Sequence, residues 1–337
     1  MTPRRPSPSA LVLLLVVAVV VVACSSPGGG SPSAAPASQA TGSQLPADCQ
    51  TAPSPTNMSA WGPPATAPQL IPVLVSNYVA CGKSRMLFLF LDAQNNVKSA
   101  PDRTATFSFY NLGRDPGKAV ANADGNFLWT IENERGMYAV NVDLPEAGTW
   151  GVEVKTTAPN GPSETTRLSF DVHDSSPTVG IGDKAPASKT PTLADVGGDA
   201  KKISTDANPD PDFYKTSVAD AIAQHKPFML IFATPKFCTS AQCGPTLEHF
   251  KTVAAAHPDV TFINVEPYQL KDVSGQLQPV LSDSGALTPT DISDQWGLLS
   301  EPWTFAVDRD GVVQGSYEVL ASQQELDAIF PVITKGG

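Results

Sequence analysis

At 337 residues the chain is long enough for about two domains. A net charge of −11 with 41% hydrophobic residues fits packed cores and makes nucleic acid, or anionic lipid held by charge alone, a poor partner. Five cysteines allow at most two internal pairs and leave one over.

The odd cysteine follows from the first 24 residues. Arg4-Arg5 precedes a run from Ala10 to Ala23 that is almost wholly Leu, Val and Ala, and the run ends Val21-Val22-Ala23-Cys24. A basic start, an apolar stretch and a small residue before the cut describe an export signal over 1–23. The apolar run is about fourteen residues, short of the roughly 20 a spanning helix needs. The Val-Val-Ala-Cys ending resembles the lipobox of bacterial lipoproteins. That resemblance implies cleavage before Cys24, lipidation of Cys24 and a membrane-anchored, extracytoplasmic protein. The other four cysteines would then sit where disulfides persist.

Residues 24–68 are rich in Ser, Pro, Ala, Gly and Thr, and the expectation is a flexible, disordered tether. From 69 to 173 the pattern turns to period-two alternation. The segments 104–110, 138–144, 150–154 and 168–172 each place apolar side chains on one face, with turn signals at Asp124-Gly125, Pro145–Gly148 and Asn160-Gly161. Short strands with no helical stretch among them predict an antiparallel β-sandwich. The Gly136-Met-Tyr and Glu146-Ala-Gly-Thr-Trp150 segments resemble bacterial immunoglobulin-like modules. Cys81, just before the apolar strand at Met86–Leu91, is expected to pair with Cys49 as a structural disulfide; two free thiols is the alternative. Copper binding by this module wants clustered His and Met, and Met86, Met137 and His173 are scattered in sequence. A structural or partner-binding role is the expectation.

Residues 174–212 read as an interdomain linker, with Gly182-Asp-Lys-Ala-Pro186 similar to the entry segment of exported thioredoxin-like and peroxiredoxin-like domains. Over 213–337 the expected elements are a helix at Phe213–Gln224, a buried strand at Phe228–Phe232 and a helix opening at Pro245. A strand at Val260–Val265, a helix at Asp291–Leu298 and a strand at Trp303–Val307 follow. A turn at Asp308–Gly311 leads into Val312–Tyr317, and a helix spans Ser322–Ile329.

Between the buried strand and its helix lie Cys238 and Cys243. Helix N-terminal N–H groups favour a thiolate and lower a cysteine pKa from about 8.5 to roughly 3.5–7.5 in known cases. Three features make 213–337 resemble the thioredoxin superfamily, closest to its membrane-anchored extracytoplasmic members. They are the strand-Pro-x-x-Cys lead-in ending at Cys238, the Cys243-Gly-Pro245 triplet, and Trp296-Gly-Leu-Leu-Ser-Glu-Pro302-Trp-Thr-Phe. The resemblance implies an α/β domain with a cis bond before Pro302, facing the cysteines. It also implies a substrate groove in which Glu301, through its backbone, and Trp303 contact an extended peptide. The spacing departs from the family: Cys-x4-Cys replaces Cys-x-x-Cys. Aligned from the strand, Cys238 attacks and Cys243 resolves; aligned from Cys-Gly-Pro, Cys243 attacks and Thr246 replaces the resolving thiol. The first needs almost no insertion and is preferred, with Lys236 favouring the thiolate.

A peroxiredoxin pattern through Pro235 and Thr239 places Cys243 one residue late, and its arginine would have to be Arg309, in a turn. A Sco-type copper chaperone needs Cys-x-x-x-Cys and a distant His, for which only His249 and His257 are at hand. The expectation is therefore an immunoglobulin-like sandwich followed by a thioredoxin-like domain. The expected activity is thiol–disulfide oxidoreductase on exported protein thiols and disulfides, with no cofactor and no metal. The alternative is a redox-inactive envelope scaffold carrying a structural disulfide.

Overall fold

Period-two alternation in the first half folds into two facing sheets, and among the described residues β-sheet predominates, with few helices. The computed structural model describes residues 49–62 and 68–335. The expected export signal, Cys24 and the tether up to residue 48 lie outside the described residues.

The first half contains β1 (Gln50–Thr51), β2 (Ile71–Leu74), β3 (Gly82–Leu91), β4 (Thr104–Asn111), β5 (Ala121–Asp124), β6 (Asn126–Ile131), β7 (Arg135–Leu144), β8 (Glu146–Thr157) and β9 (Ser163–Val172). One sheet runs β2-β3-β7-β6. The other has β8 at its centre, with β4, β9 and the short parallel β1 paired to it and β5 beyond β4. Alternation explains the sandwich. In β7, Tyr138, Val140, Val142 and Leu144 are buried, while Asn141 and Asp143 are exposed. They meet Phe107, Phe109, Trp150 and Val152 of the facing sheet in one core. Each such side chain contributes on the order of 1.5–3 kcal/mol by leaving water. The Asp124-Gly125 signal is not a hairpin: β5 pairs with β4 and β6 with β7, so the chain changes sheet there.

Residues 49–62, expected to belong to the tether, are docked on the sandwich instead. Cys49 is disulfide-bonded to Cys81 with a Cα–Cα separation of 6.3 Å, and β1 pairs with β8. Trp61 is 5% exposed and lies over Gly151, where a Cβ would come within 2.4 Å of its ring. Three anchors in a polar, proline-rich stretch suffice to order it.

The second half contains α1 (Val218–Ala223), β10 (Phe228–Phe232), α2 (Cys243–Ala256), β11 (Thr261–Val265), β12 (Leu270–Val273), β13 (Gln276–Pro279), α3 (Asp291–Trp296), β14 (Trp303–Val307), β15 (Val313–Glu318) and α4 (Gln323–Lys335). The main sheet runs β11-β10-β14-β15, with β10 and β11 parallel and the other pairs antiparallel. All five residues of β10 are buried because both faces are covered. Met229 and Ile231 meet Leu247 and Phe250 of α2 and Leu326 and Phe330 of α4. Phe228, Leu230 and Phe232 meet Val218 and Ala221 of α1 and Trp296 of α3.

The expected linker at 174–212 is likewise part of this unit. Val179 N–H donates to Trp296 O, Gly182 N–H to Val313 O and Ala185 N–H to Gly311 O. Gly297, at φ +61°, permits the approach, since a Cβ there would fall 1.8 Å from Pro177 O. Few apolar residues serve here because backbone hydrogen bonds and single side chains, Val179 and Ala185 among them, make the contacts. The single helix expected at 213–224 is a 3-10 turn at Pro211–Tyr214 and then α1, which Ser217 caps. The hairpin β12–β13 carries no apolar run that marks it in the sequence.

The two halves meet through the outer face of the β3–β7 sheet. Leu87, Leu128 and Ala139 pack on Val319 and Leu320, which follow β15. Arg85 pairs with Glu325 at 2.5 Å and donates to Leu320 O at 2.8 Å and Glu318 O at 3.2 Å. Asn77 donates to the Glu318 carboxylate at 2.6 Å. Burial pushes the Glu325 carboxyl up, but Arg85 and the Ser322 N–H and hydroxyl outweigh it and hold its pKa below the ordinary 4.5. A depressed acid stabilises above its unfolded pKa and loses that stabilisation as pH falls through the folded value. Arg85→Ala should therefore destabilise by about 3–5 kcal/mol at neutral pH, because it strands a buried carboxylate. The gap from the parent, measured by thermal or denaturant unfolding, should narrow as pH drops from about 6 to about 3.

Candidate functional site

The apolar run of β10 stops at Ala233, and the chain turns through Thr234-Pro235 into a loop that ends at Cys243, the first residue of α2. Ala241 takes φ +60°, a conformation costly for a residue with a Cβ, and the loop closes there. Cys238 and Cys243 are disulfide-bonded, with Cα atoms 6.0 Å apart. Cys243 is fully buried and packs with Leu247 and Phe250, whereas Cys238 is half-buried. The N–H of Cys243 donates to Cys238 Sγ at 3.2 Å, and Ser240 Oγ lies 3.3 Å from the same sulfur. Cys238 thus sits at the positive end of a 14-residue helix, where a thiolate is favoured.

The Glu301–Pro302 peptide bond is cis and precedes β14. Ser240 Oγ donates to Glu301 O at 3.2 Å, which joins the cysteine loop to this segment. The Glu301 side chain is 7% exposed and turns toward the sulfurs: a carboxylate oxygen and both Sγ atoms lie within 4.8 Å of one another. The carboxylate is fixed from both sides. Oε1 accepts from Thr239 N–H and Oγ, each at 3.1 Å, and Oε2 accepts from Tyr268 Oη at 2.5 Å. Burial raises the Tyr268 pKa, and the bond to Glu301 and its charge raise it further, so Tyr268 stays a donor.

Further contacts fix the loop from outside. Arg135 of β7 donates to Ser240 O at 3.5 Å. Gln242, with its amide turned to pair both ends, donates to Thr130 O and accepts from Arg135, each at 3.0 Å. Thr246, buried in the first turns of α2, donates to Val319 O at 3.1 Å.

The structure brings Cys238, Cys243, Glu301 and Pro302 together. The Glu301 carbonyl accepts from Ser240, and the Glu301 side chain faces the sulfurs. Trp303 is 8% exposed within the sheet, opposite Phe232 and Glu318, with its indole N–H on Ser316 Oγ at 2.9 Å. Lys236 directs its ammonium to Leu277 O at 3.3 Å. Arg309 donates to Thr334 O, His257 stacks on Phe330, and His249, its pKa lowered by burial, lies on α2. In the sandwich Met86 and Met137 are buried and His173 stacks on Tyr78. Among the described residues, the one group of three or more Cys, His, Asp or Glu side chains placed to hold a metal is Cys238, Cys243 and Glu301.

Behind the loop, a cavity of about 200 Å³ is lined by Ile203, Tyr214, Glu266, Tyr268, Leu277 and Ile292 among others. Glu266 is 7% exposed; Thr205 N–H donates to its Oε1, and its Oε2 is buried without a hydrogen-bond partner. Burial raises its pKa to about 7, against the opposing pull of bonds from Thr234 and Thr205.

No protein-family model matches the chain, and no curated protein matches it. Among solved structures, a DUF4426 family protein from Pseudomonas aeruginosa PAO1 is 13% identical over 27% of this chain and 66% of its own, at a TM-score of 0.20. CopC from Methylosinus trichosporium OB3b is 18% identical over 31% of this chain and 94% of its own, at 0.20. The Lin-41 filamin domain is 13% identical over 32% and 99%, at 0.19. Likenesses at these scores carry no argument about function. No helix of the described residues is long and apolar enough to cross a membrane.

Glu266 gives a direct check on the packing behind the site. A carboxyl raised by folding contributes stability below its unfolded pKa and loses it as pH rises through the folded value. Ionising Glu266 between pH 5 and 8 should cost on the order of 2–3 kcal/mol. Glu266→Gln should remove that cost, so the variant gains on the parent as pH rises, read by denaturant unfolding at the two pH values.

Proposed function

We propose that this protein is a thiol–disulfide oxidoreductase of the thioredoxin type, with Cys238 as the exchanging sulfur and Cys243 as the resolving one. One observation carries the reading: the more exposed sulfur sits at the N-terminus of α2, takes the Cys243 N–H and has its disulfide partner buried behind it. The order of β10, α2 and β11, then β14, β15 and α4, and the cis bond before Pro302, support the thioredoxin-type assignment. The preceding two-sheet module is read as an immunoglobulin-like support that holds the cysteine loop from outside. The sequence around Cys24 supports a lipid-anchored protein on the extracytoplasmic face, acting on exported proteins.

In the reducing direction the Cys238 thiolate attacks a substrate disulfide and displaces one substrate sulfur as a thiolate. Cys243 then loses its proton, attacks Cys238 Sγ and releases the second substrate sulfur, and the Cys238–Cys243 disulfide re-forms. With a dithiol substrate the same steps run backwards. Either direction requires the two cysteines to differ in access, as they do here.

Equilibrating the full-length protein in glutathione buffers should give a potential between about −120 and −270 mV for the pair. Cys238→Ser should reduce exchange with a peptide disulfide to the uncatalysed background. A potential below about −300 mV, with neither thiol alkylating near neutral pH, would show the redox-inactive scaffold instead.

A further inference from the structure

The Glu301 side chain has no role in exchange as derived above, yet both its carboxylate oxygens are held beside the sulfurs by Thr239 and Tyr268. We propose that reduced Cys238 and Cys243, together with Glu301, form a binding site for one zinc-class divalent cation. This goes beyond the exchange reading and requires only that the pair can be reduced.

The three donor atoms lie within 4.8 Å of one another. Zinc binds thiolate at about 2.3 Å and carboxylate oxygen at about 2.0–2.2 Å, so ligands on one tetrahedral ion stand roughly 3–4 Å apart. Opening the disulfide lets the sulfurs separate to that range, and the half-buried Cys238 is the sulfur with room to move. The carboxylate needs little movement, because Thr239 and Tyr268 already hold both its oxygens. Outer-shell donors of this kind fix a ligating carboxylate.

Charge points the same way. Glu301 is 7% exposed, and among the described residues no Lys, Arg or His forms an ion pair with it. The cationic heads mapped around the loop are engaged elsewhere: Lys236 on Leu277 O, Arg135 on Ser240 O and Gln242. Two thiolates beside this carboxylate would place three negative charges in a largely buried space, which is costly without a counter-charge. A divalent cation supplies it. Two sulfurs and one oxygen suit zinc or cadmium; an all-oxygen set would suit magnesium or calcium, and sulfur alone would suit copper(I). Three protein ligands leave a fourth position, on the open side of Cys238, for water or a further ligand.

The site is redox-gated. When a substrate disulfide oxidises the metal-bound dithiolate, the two thiolates give up two electrons and form the Cys238–Cys243 bond. The substrate disulfide takes those electrons, and two protons from solvent, to become two thiols, and the cation is released with its charge unchanged.

The test uses full-length protein, reduced and freed of reductant, with its thiols counted. Zinc is then titrated against a chromophoric chelator, and cadmium is followed by its thiolate-to-metal absorption. The expected result is one equivalent bound by the reduced protein and none by the oxidised protein. Glu301→Gln should weaken zinc binding at least about tenfold with both thiols still counted, and Cys243→Ala should abolish the cadmium band. A pair that resists reduction, no stoichiometric zinc with both thiols free, or equal affinity in Glu301→Gln would each overturn the inference. Peptide-disulfide exchange in excess chelator separates the two ideas. Exchange without zinc binding refutes this site alone, and zinc binding without exchange refutes the enzyme reading alone.

Discussion

The backbone at 318–320 is the point on which the rest of the structure depends. Val319 N–H donates to Pro302 O at 2.9 Å, Val319 O accepts from Thr246 of α2, and the carbonyls of Glu318 and Leu320 accept from Arg85 of the sandwich. Three residues thereby tie the cis-Pro segment, the cysteine helix and the first half of the chain to one another. Val319 holds φ +66°, costly for a β-branched residue, and the surrounding bonds maintain it. A change at this junction reaches the sulfurs through two hydrogen bonds.

That junction gives the sandwich a physical part in positioning the cysteine loop. Arg135 and Thr130 at the β6–β7 end meet the loop between the cysteines, while Arg85 and Asn77 meet the strand end behind it. The loop is held on both sides, so the disulfide exchange proposed above would move sulfur atoms against a fixed frame. Glu301 lies in that frame with its carboxylate already oriented. A buried carboxylate facing two sulfurs opposes thiolate formation, whereas the α2 N-terminus favours it, and the balance sets how readily the reduced form persists.

Much of this was legible in the sequence and some of it could not be. The alternation in 104–110, 138–144, 150–154 and 168–172 is local, and those segments lie in strands with apolar faces inward. The run at 228–232 and the two cysteines beyond it mark a strand, a loop and a helix because their pattern spans one element each. The Glu301 carboxylate was not legible: its partners Thr239 and Tyr268 lie 62 and 33 residues away, and nothing in a Ser-Glu-Pro triplet tells where the side chain turns. Arg135 on Ser240 spans 105 residues for the same reason. The 174–212 segment misleads because proline and aspartate suggest a linker, while it docks through backbone N–H groups and through scattered single side chains such as Val179, Ala185 and Ser188, which form no run in the sequence.

The most direct test of the account is to trap the exchange intermediate. Full-length Cys243→Ser, reacted with a peptide disulfide and digested for mass spectrometry, leaves Cys238 without its resolving partner. The account predicts a stable mixed disulfide between the peptide and Cys238, released by added reductant, and no adduct in Cys238→Ser. An adduct carried by Cys243 in the Cys238→Ser protein, or none in either variant, would contradict it.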